Sequence, residues 1–194
     1  MKNEGTRVVS VLGDSTFFHT GINSLLNIAY NQSNTISVIL DNRITGMTGH
    51  QENPGSGYTV QGKSAPMIKI DEIAHAFGFK NVRVIDPNDL GLVRATFDEL
   101  LALDEPSVVI TRWPCALKKF SAEDKAEFVG AFCDKYYVQA DICNGCKKCL
   151  KAGCPALSFD SSSSKAVIAQ DQCLGCGVCA QICPKKAIKQ VHHW

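Results

Sequence analysis

Eight of the ten cysteines in this chain of 194 residues fall between Cys143 and Cys183, and they fall twice in one pattern. Cys143, Cys146 and Cys149, each separated by two residues, are closed by Cys154 before Pro155. Thirty residues on, Cys173, Cys176 and Cys179 are closed by Cys183 before Pro184. The N-terminal residues carry no apolar signal-peptide run, and no stretch approaches the roughly 18–20 apolar residues of a membrane span. The expected location is therefore cytoplasmic, where thiols stay reduced, and cysteines this dense are better read as metal ligands than as disulfides. Three thiolates at that spacing can turn inward on one [4Fe–4S] cubane, and in two-cluster domains the Cys before Pro serves the other cubane. The crossing assigns Cys143, Cys146, Cys149 and Cys183 to one cluster and Cys173, Cys176, Cys179 and Cys154 to the other. Zinc is the chemical rival, since paired C-x2-C is also a zinc spacing, but it requires no third cysteine two residues on in both halves. Four residues separate Cys149 from Cys154 where the usual run has three, which should lengthen the turn around Gly153. Cys115 and Cys133 fit no spacing and read as small apolar residues; His192 and His193, at the terminus, need no role.

The formal charge of +1 hides an asymmetry: residues 139–194 hold seven Lys and three Asp, a net +4, which leaves −3 for residues 1–138. The near-neutral total gives no support to nucleic acid or membrane as the main partner. The basic excess offsets two anionic clusters. Lys147, Lys148, Lys151, Lys185 and Lys186 read either as a solvated face or as groups that stabilise reduced clusters or dock an acidic electron carrier.

Residues 1–114 have a different grammar. Apolar, β-branched runs at 8–12, 35–40, 82–85 and 107–111 alternate with helical spacing at 17–30, 71–78 and 88–103. That alternation predicts an α/β fold with a parallel sheet, its strands covered on both faces. A further helix is expected over 121–134. The predicted domains are 1–135, a partial Rossmann-like parallel-sheet domain, and 136–194, a small α+β ferredoxin-like domain with two clusters. The polar, Gly-rich stretch from Arg43 to Pro66 lacks periodicity and is read as a functional loop.

The first strand ends in Gly13-Asp14-Ser15 and the second in Asp41-Asn42, so both should emerge at the carboxyl edge of the sheet, where α/β folds bind ligands. A carboxylate and an amide oxygen there suit Mg²⁺ shared with a diphosphate, and Gly13 lets backbone approach phosphate oxygens. A nicotinamide fold would want G-x-G-x-x-G after that strand, which is missing. A hydrolase built on Ser15 would need a downstream Asp and His, for which Asp71 and His75 are the nearest pair.

Gly13-Asp14-Ser15, 26 intervening residues after Asp14, then Asp41-Asn42 resembles the thiamine-diphosphate motif. With the run from Arg43 to Gln51 and the two-cluster domain behind it, the chain resembles the 2-oxoacid:ferredoxin oxidoreductases, most closely the C-terminal portion of the large subunit of the indolepyruvate type. The resemblance implies thiamine diphosphate, Mg²⁺ and two [4Fe–4S] clusters as cofactors. Asp14 and Asn42 would give side-chain oxygens to Mg²⁺ and Ile44 its main-chain carbonyl. Gly13 and Ser15 would lie by the diphosphate, with Thr45, Thr48 and Gln51 on the loop over the cofactor. His19 and His50 are candidates for proton handling or substrate binding, against a structural role.

The activity implied is oxidative decarboxylation of an aryl 2-oxoacid to an acyl-CoA, with electrons passed to ferredoxin. The alternatives are a non-catalytic iron–sulfur electron-transfer subunit, or the same chemistry on a different 2-oxoacid. The activating Glu of the family belongs to a pyrimidine-binding domain for which no counterpart is found. The chain is accordingly read as a fragment or one piece of a split complex, inactive alone. Its expected partners are the remainder of the large subunit or a separate pyrimidine-domain subunit, a small beta subunit, ferredoxin, coenzyme A and a 2-oxoacid. The sheet is expected to have an open edge.

Overall fold

The structure, a computed structural model, describes residues 7–132 and 134–191; Cys133, His192 and His193 lie outside the described residues. Residues up to Asp124 form one compact unit and those from Lys125 another.

In the first unit, β1 (Val8–Gly13), β2 (Thr35–Asp41), β3 (Asn81–Ile85) and β4 (Ser107–Arg112) form a parallel sheet in the order β1-β2-β4-β3. The runs that make them are dominated by Val and Ile, whose branched side chains suit a pleated surface and resist helix. The chain leaves β1 through α1 (Asp14–Thr16), a π turn (Phe17–Gly21) and α2 (Ile22–Tyr30). The expected helix over 17–30 is thus entered earlier and widened at its start. α3 (Ile70–Ala76) precedes β3, and α4 (Leu90–Leu101) precedes β4. The Asp89 carboxylate caps α4 by accepting the Leu92 N–H at 2.9 Å.

Two cores flank the sheet. Phe17, Leu25 and Ala29, from the π turn and α2, pack with Ile70 and Ala74 of α3 against Ile39, Val108 and Ile110. On the other face Leu100, with Val93 and Phe97 of α4, covers Ile36, Val38, Ile85 and Val109. The expectation of cover on both faces therefore holds for β2 and β4 but not for β1. Among the described residues β1 is an edge strand, and Val9 and Val11 are 44% and 61% exposed. Gly13 lies opposite Leu40 in register, so Asp14 and the Asp41-Asn42 pair emerge at one edge.

The helix expected over 121–134 is shorter: α5 spans Ala122–Glu127. Its start is firm, because Ser121 and Asp124 cap each other: Ser121 Oγ accepts the Asp124 N–H at 3.1 Å and Asp124 Oδ2 accepts the Ser121 N–H at 2.9 Å. Lys118 Nζ donates to the same buried carboxylate at 2.5 Å. The helix cannot run on, because Gly130 and Phe132 take φ of 77° and 62°, outside the helical region.

The second unit pairs β5 (Lys135–Val138) with β8 (Ile188–Val191), and β6 (Leu157–Asp160) with β7 (Lys165–Ile168), both antiparallel. A 3-10 turn (Lys148–Ala152) and α6 (Val178–Ile182) occupy equivalent places in the two halves. The core is small, centred on Ala156, Ala166, Ile168 and Ile188, and five of the eight repeat cysteines supplement Cys149 in it or against it: Cys143, Cys154, Cys173, Cys179 and Cys183. A unit of this size buries little apolar surface, so whatever the thiols bind contributes to holding it together.

Candidate functional site

The Asp14 carboxylate, 2% exposed, sits where β1 turns into helix. Its Oδ1 accepts the Ser15 N–H at 2.7 Å, and its Oδ2 faces the Asn53 amide, which donates from 3.4 Å. The Arg43 N–H also points at it. Burial pushes this carboxyl above its ordinary range, the Ser15 N–H offsets part of that, and the neighbouring Asp41 charge adds to it. A buried carboxylate held by N–H dipoles beside a second carboxylate has oxygen lone pairs that a hard cation would satisfy. Gly13 has an ordinary φ of −79°, so its missing side chain matters for space: a methyl there would meet nothing within 4 Å. These features fit a diphosphate–Mg²⁺ group.

Asn42 Oδ1 accepts the Ile44 N–H at 3.1 Å, which folds the chain back at the end of β2. Thr45 then donates its hydroxyl to Ser15 Oγ at 3.0 Å, tying the loop to the first helical turn. Asp14, Ser15, Asn42, Ile44 and Thr45 thus gather at one sheet edge. Thr48 and Gln51 lie further out on an exposed hairpin, where the Thr48 hydroxyl donates to Gln51 Oε1 at 2.7 Å. His19 is exposed on the π turn, and His50 is half-buried.

Three features of this edge escaped the sequence reading. Asn53 is 8% exposed and locked in place: its Oδ1 accepts the Gly55 N–H at 2.9 Å while its amide reaches Asp14. Asp41 is held by two arginines, Arg112 Nε at 2.7 Å and Arg43 Nε at 3.4 Å. Arg112 also donates to Asp71 at 2.8 Å, which occupies the carboxylate a Ser15 hydrolase would have needed. Cys115 is no core residue: half-buried, it donates its N–H to the Asn42 carbonyl at 3.1 Å and brings Sγ within 3.8 Å of His50 Nε2.

In the second unit Cys143, Cys146, Cys149 and Cys183 line one cavity, walled by Val138, Ala166 and Ile188. Burial raises the Cys149 thiol pKa, and Cys183 makes the largest charge contribution, ahead of Cys146 and Cys143. Burial likewise pushes Cys179 up to about 11, helped by Cys176, Cys154 and Cys173. The electrostatic neighbours therefore fall into the same two crossed sets. Among the described residues no three His, Cys, Asp or Glu are drawn together tightly enough to hold a single ion. Three cysteines at two-residue spacing in each repeat, with a fourth drawn from the other repeat, fit a multi-iron cluster better than one zinc ion, which requires no third cysteine at that spacing.

The loops that carry the thiols are pressed against backbone. A Cβ on Gly145 would lie 2.4 Å from the Ser164 carbonyl oxygen, and one on Gly175 1.8 Å from that of Asp134. Lys147 and Gly177 occupy equivalent left-handed positions after Cys146 and Cys176. Lys147 lies over the Phe159 ring at 4.1 Å, while the space beside Gly177 is taken by the Tyr136 hydroxyl.

Residues 1–111 match the C-terminal TPP-binding domain of thiamine pyrophosphate enzymes. The chain belongs to that family. Residues 135–184 match a 4Fe-4S dicluster domain, so a thiamine-pyrophosphate-binding domain and a two-cluster domain stand on one polypeptide. The chain is 43% identical to the indolepyruvate oxidoreductase subunit IorA of Pyrococcus abyssi over 95% of its length. It is 42% identical over 94% to that of Thermococcus kodakarensis. It spans 28% of each of these relatives. A thiamine diphosphate-dependent 4-hydroxybenzoylformate decarboxylase of Rhodococcus jostii RHA1 aligns with 60% of this chain and 21% of its own, at 22% identity and a TM-score of 0.44. Among the described residues, no helix is long and apolar enough to cross a membrane.

Proposed function

We propose that this chain is the diphosphate-binding and cluster-bearing part of a 2-oxoacid:ferredoxin oxidoreductase. Its substrate would be an aryl 2-oxoacid such as indolepyruvate, its product an acyl-CoA, and its electron acceptor ferredoxin. The observation that carries the reading is the buried Asp14 carboxylate beside Asn42 at the ends of adjacent strands, on one polypeptide with two crossed cysteine quartets. The naming of its relatives as indolepyruvate oxidoreductase subunits supports the substrate class.

In this reading Asp14 and Asn42 supply side-chain oxygens and Ile44 a carbonyl to Mg²⁺, with Gly13 and Ser15 beside the diphosphate. Thr45 fixes the loop over the first helical turn, and Thr48 and Gln51 stabilise its outer hairpin. Thiamine diphosphate, when bound, supplies the carbanion chemistry that cleaves 2-oxoacids, and the [4Fe–4S] clusters supply one-electron storage. Burial of Asp14 keeps water from competing for the cation, and the Arg43–Asp41–Arg112 network holds the second strand end in place while neutralising Asp41. The relatives are several times longer, which is consistent with further domains or subunits contributing the pyrimidine-binding and coenzyme A-binding groups, a small beta subunit among them.

The test is a titration of thiamine diphosphate with Mg²⁺ into the assembled oxidoreductase, wild type against Asp14→Asn and Asn42→Ala. Each variant should weaken binding about tenfold or more, in line with the loss of a charged hydrogen-bonded ligand. Unchanged affinity in both would overturn the reading. Clusters that reduce normally in an enzyme indifferent to thiamine would favour a non-catalytic electron-transfer role.

A further inference from the structure

A groove in the second unit opens beside the exposed Cys176. Its floor is Tyr136, Gly177 and Ala180, and its rim carries the exposed Gln181, Lys186 and Lys189. Cys183 and Ile188 also line it. No carboxylate is among the residues that line it.

The two halves of the unit repeat in sequence but differ here. After Cys146 the left-handed position is Lys147, whose ammonium sits over the Phe159 ring. After Cys176 it is Gly177, which carries no side chain, and the Tyr136 hydroxyl fills the space where one would stand. Lys186, itself at φ 52°, projects from the turn after Cys183-Pro184 onto the groove's rim, and Lys189 follows on β8. An anionic surface seated between these two ammonium groups would come to rest directly against the Cys176 loop.

We propose that this groove is the docking surface for an acidic protein, the electron carrier of the assembled oxidoreductase, with Lys186 and Lys189 as its charge contacts and Cys176 at the point of closest approach. The inference rests on the electron-transfer part of the proposed function and adds which of two similar halves the partner meets. Charge at the rim of such an interface sets encounter rate and salt dependence more than packing does.

The experiment measures the affinity of a purified acidic two-cluster ferredoxin for the assembled oxidoreductase by calorimetry, at low and at high ionic strength. The double variant Lys186→Glu, Lys189→Glu should weaken binding about tenfold or more at low salt, with the difference shrinking as salt rises. The milder Lys186→Gln, Lys189→Gln pair should fall between it and the wild type, and unchanged visible absorbance of the clusters would show that both variants fold. Lys148→Glu, a single charge reversal on the other half, should leave affinity within about twofold. An unaffected affinity in the double variants, or a larger loss in Lys148→Glu, overturns the proposal. A thiamine requirement that persists while docking fails leaves the proposed function standing; docking that persists without such a requirement removes that function and keeps the surface.

Discussion

Gly175→Ala should be the most damaging small substitution in the second unit, and the structure sets its scale. Gly175 takes φ of 73°, where an L residue with a Cβ costs about 1–2 kcal/mol. Its Cβ would also stand 1.8 Å from the Asp134 carbonyl oxygen, a contact that must open by more than 1 Å to become tolerable. That oxygen is backbone and cannot swing aside. Asp134 is anchored by the Gln190 side chain, which donates to its carboxylate, and the chain enters β5 immediately afterwards. Adding an overpacking penalty of about 1–3 kcal/mol to the conformational one gives roughly 2–5 kcal/mol. Gly153→Ala is the internal control, since Gly153 has a similar φ of 63° but meets nothing within 4 Å; it should cost about 1–2 kcal/mol. Urea unfolding of the full chain, followed through the visible absorbance of its clusters with iron content measured in parallel, separates the two. If Gly175→Ala is no less stable than Gly153→Ala, the close packing of the Cys173–Cys179 loop on Asp134 is refuted.

Two further outcomes follow from the first unit. Asn53→Ala removes a buried donor from Asp14 and should weaken Mg²⁺-dependent thiamine diphosphate binding severalfold, with a stability loss of about 1–3 kcal/mol; Asn53→Gln should not restore binding, because its longer side chain cannot hold the Gly55 N–H in the same place. For Asp71, burial pushes the carboxyl up, but the Arg112 hydrogen bond and charge hold it below its ordinary 3.8. Its pair with Arg112 therefore stabilises the fold above that pH and is lost as pH falls below it. Asp71→Asn should lower stability near neutrality and flatten the acid limb of a melting-temperature profile below about pH 4.

The strands of the sheet were legible to within a residue, because β-branched runs such as Thr35–Leu40 admit little else. Helix ends were less so. Nothing in the periodicity of residues 121–134 marks the left-handed turn at Phe132. The edge that carries Asp14 and Asn42 could be read from two short strings because strand register brings them together. Asn53 could not. It reaches Asp14 across 39 residues of chain through an irregular loop, and its role depends on a turn around Gly55 that has no sequence period. The same holds for Arg112, whose partner Asp41 lies 71 residues away. Cys115 was misplaced because its backbone continues β4 past the sheet's end, where spacing arguments about thiols have no purchase. Within each run of three cysteines the pattern is local, since two-residue spacing dictates which of those sulfurs can converge, whereas the fourth of each proposed set comes from the other repeat.

The uncovered side of β1 also bears on colloidal behaviour. Val8, Val9 and Val11 are all more than 40% exposed on a strand whose outer amides and carbonyls have no neighbouring strand among the described residues. Charge, proline and bulges are what proteins use to keep such strands from adding to one another, and Val8–Gly13 contains none of the first two. Handled by itself, this polypeptide would tend to self-associate through that strand. Its working concentration would then be set by how well the strand is masked rather than by the stability of either core.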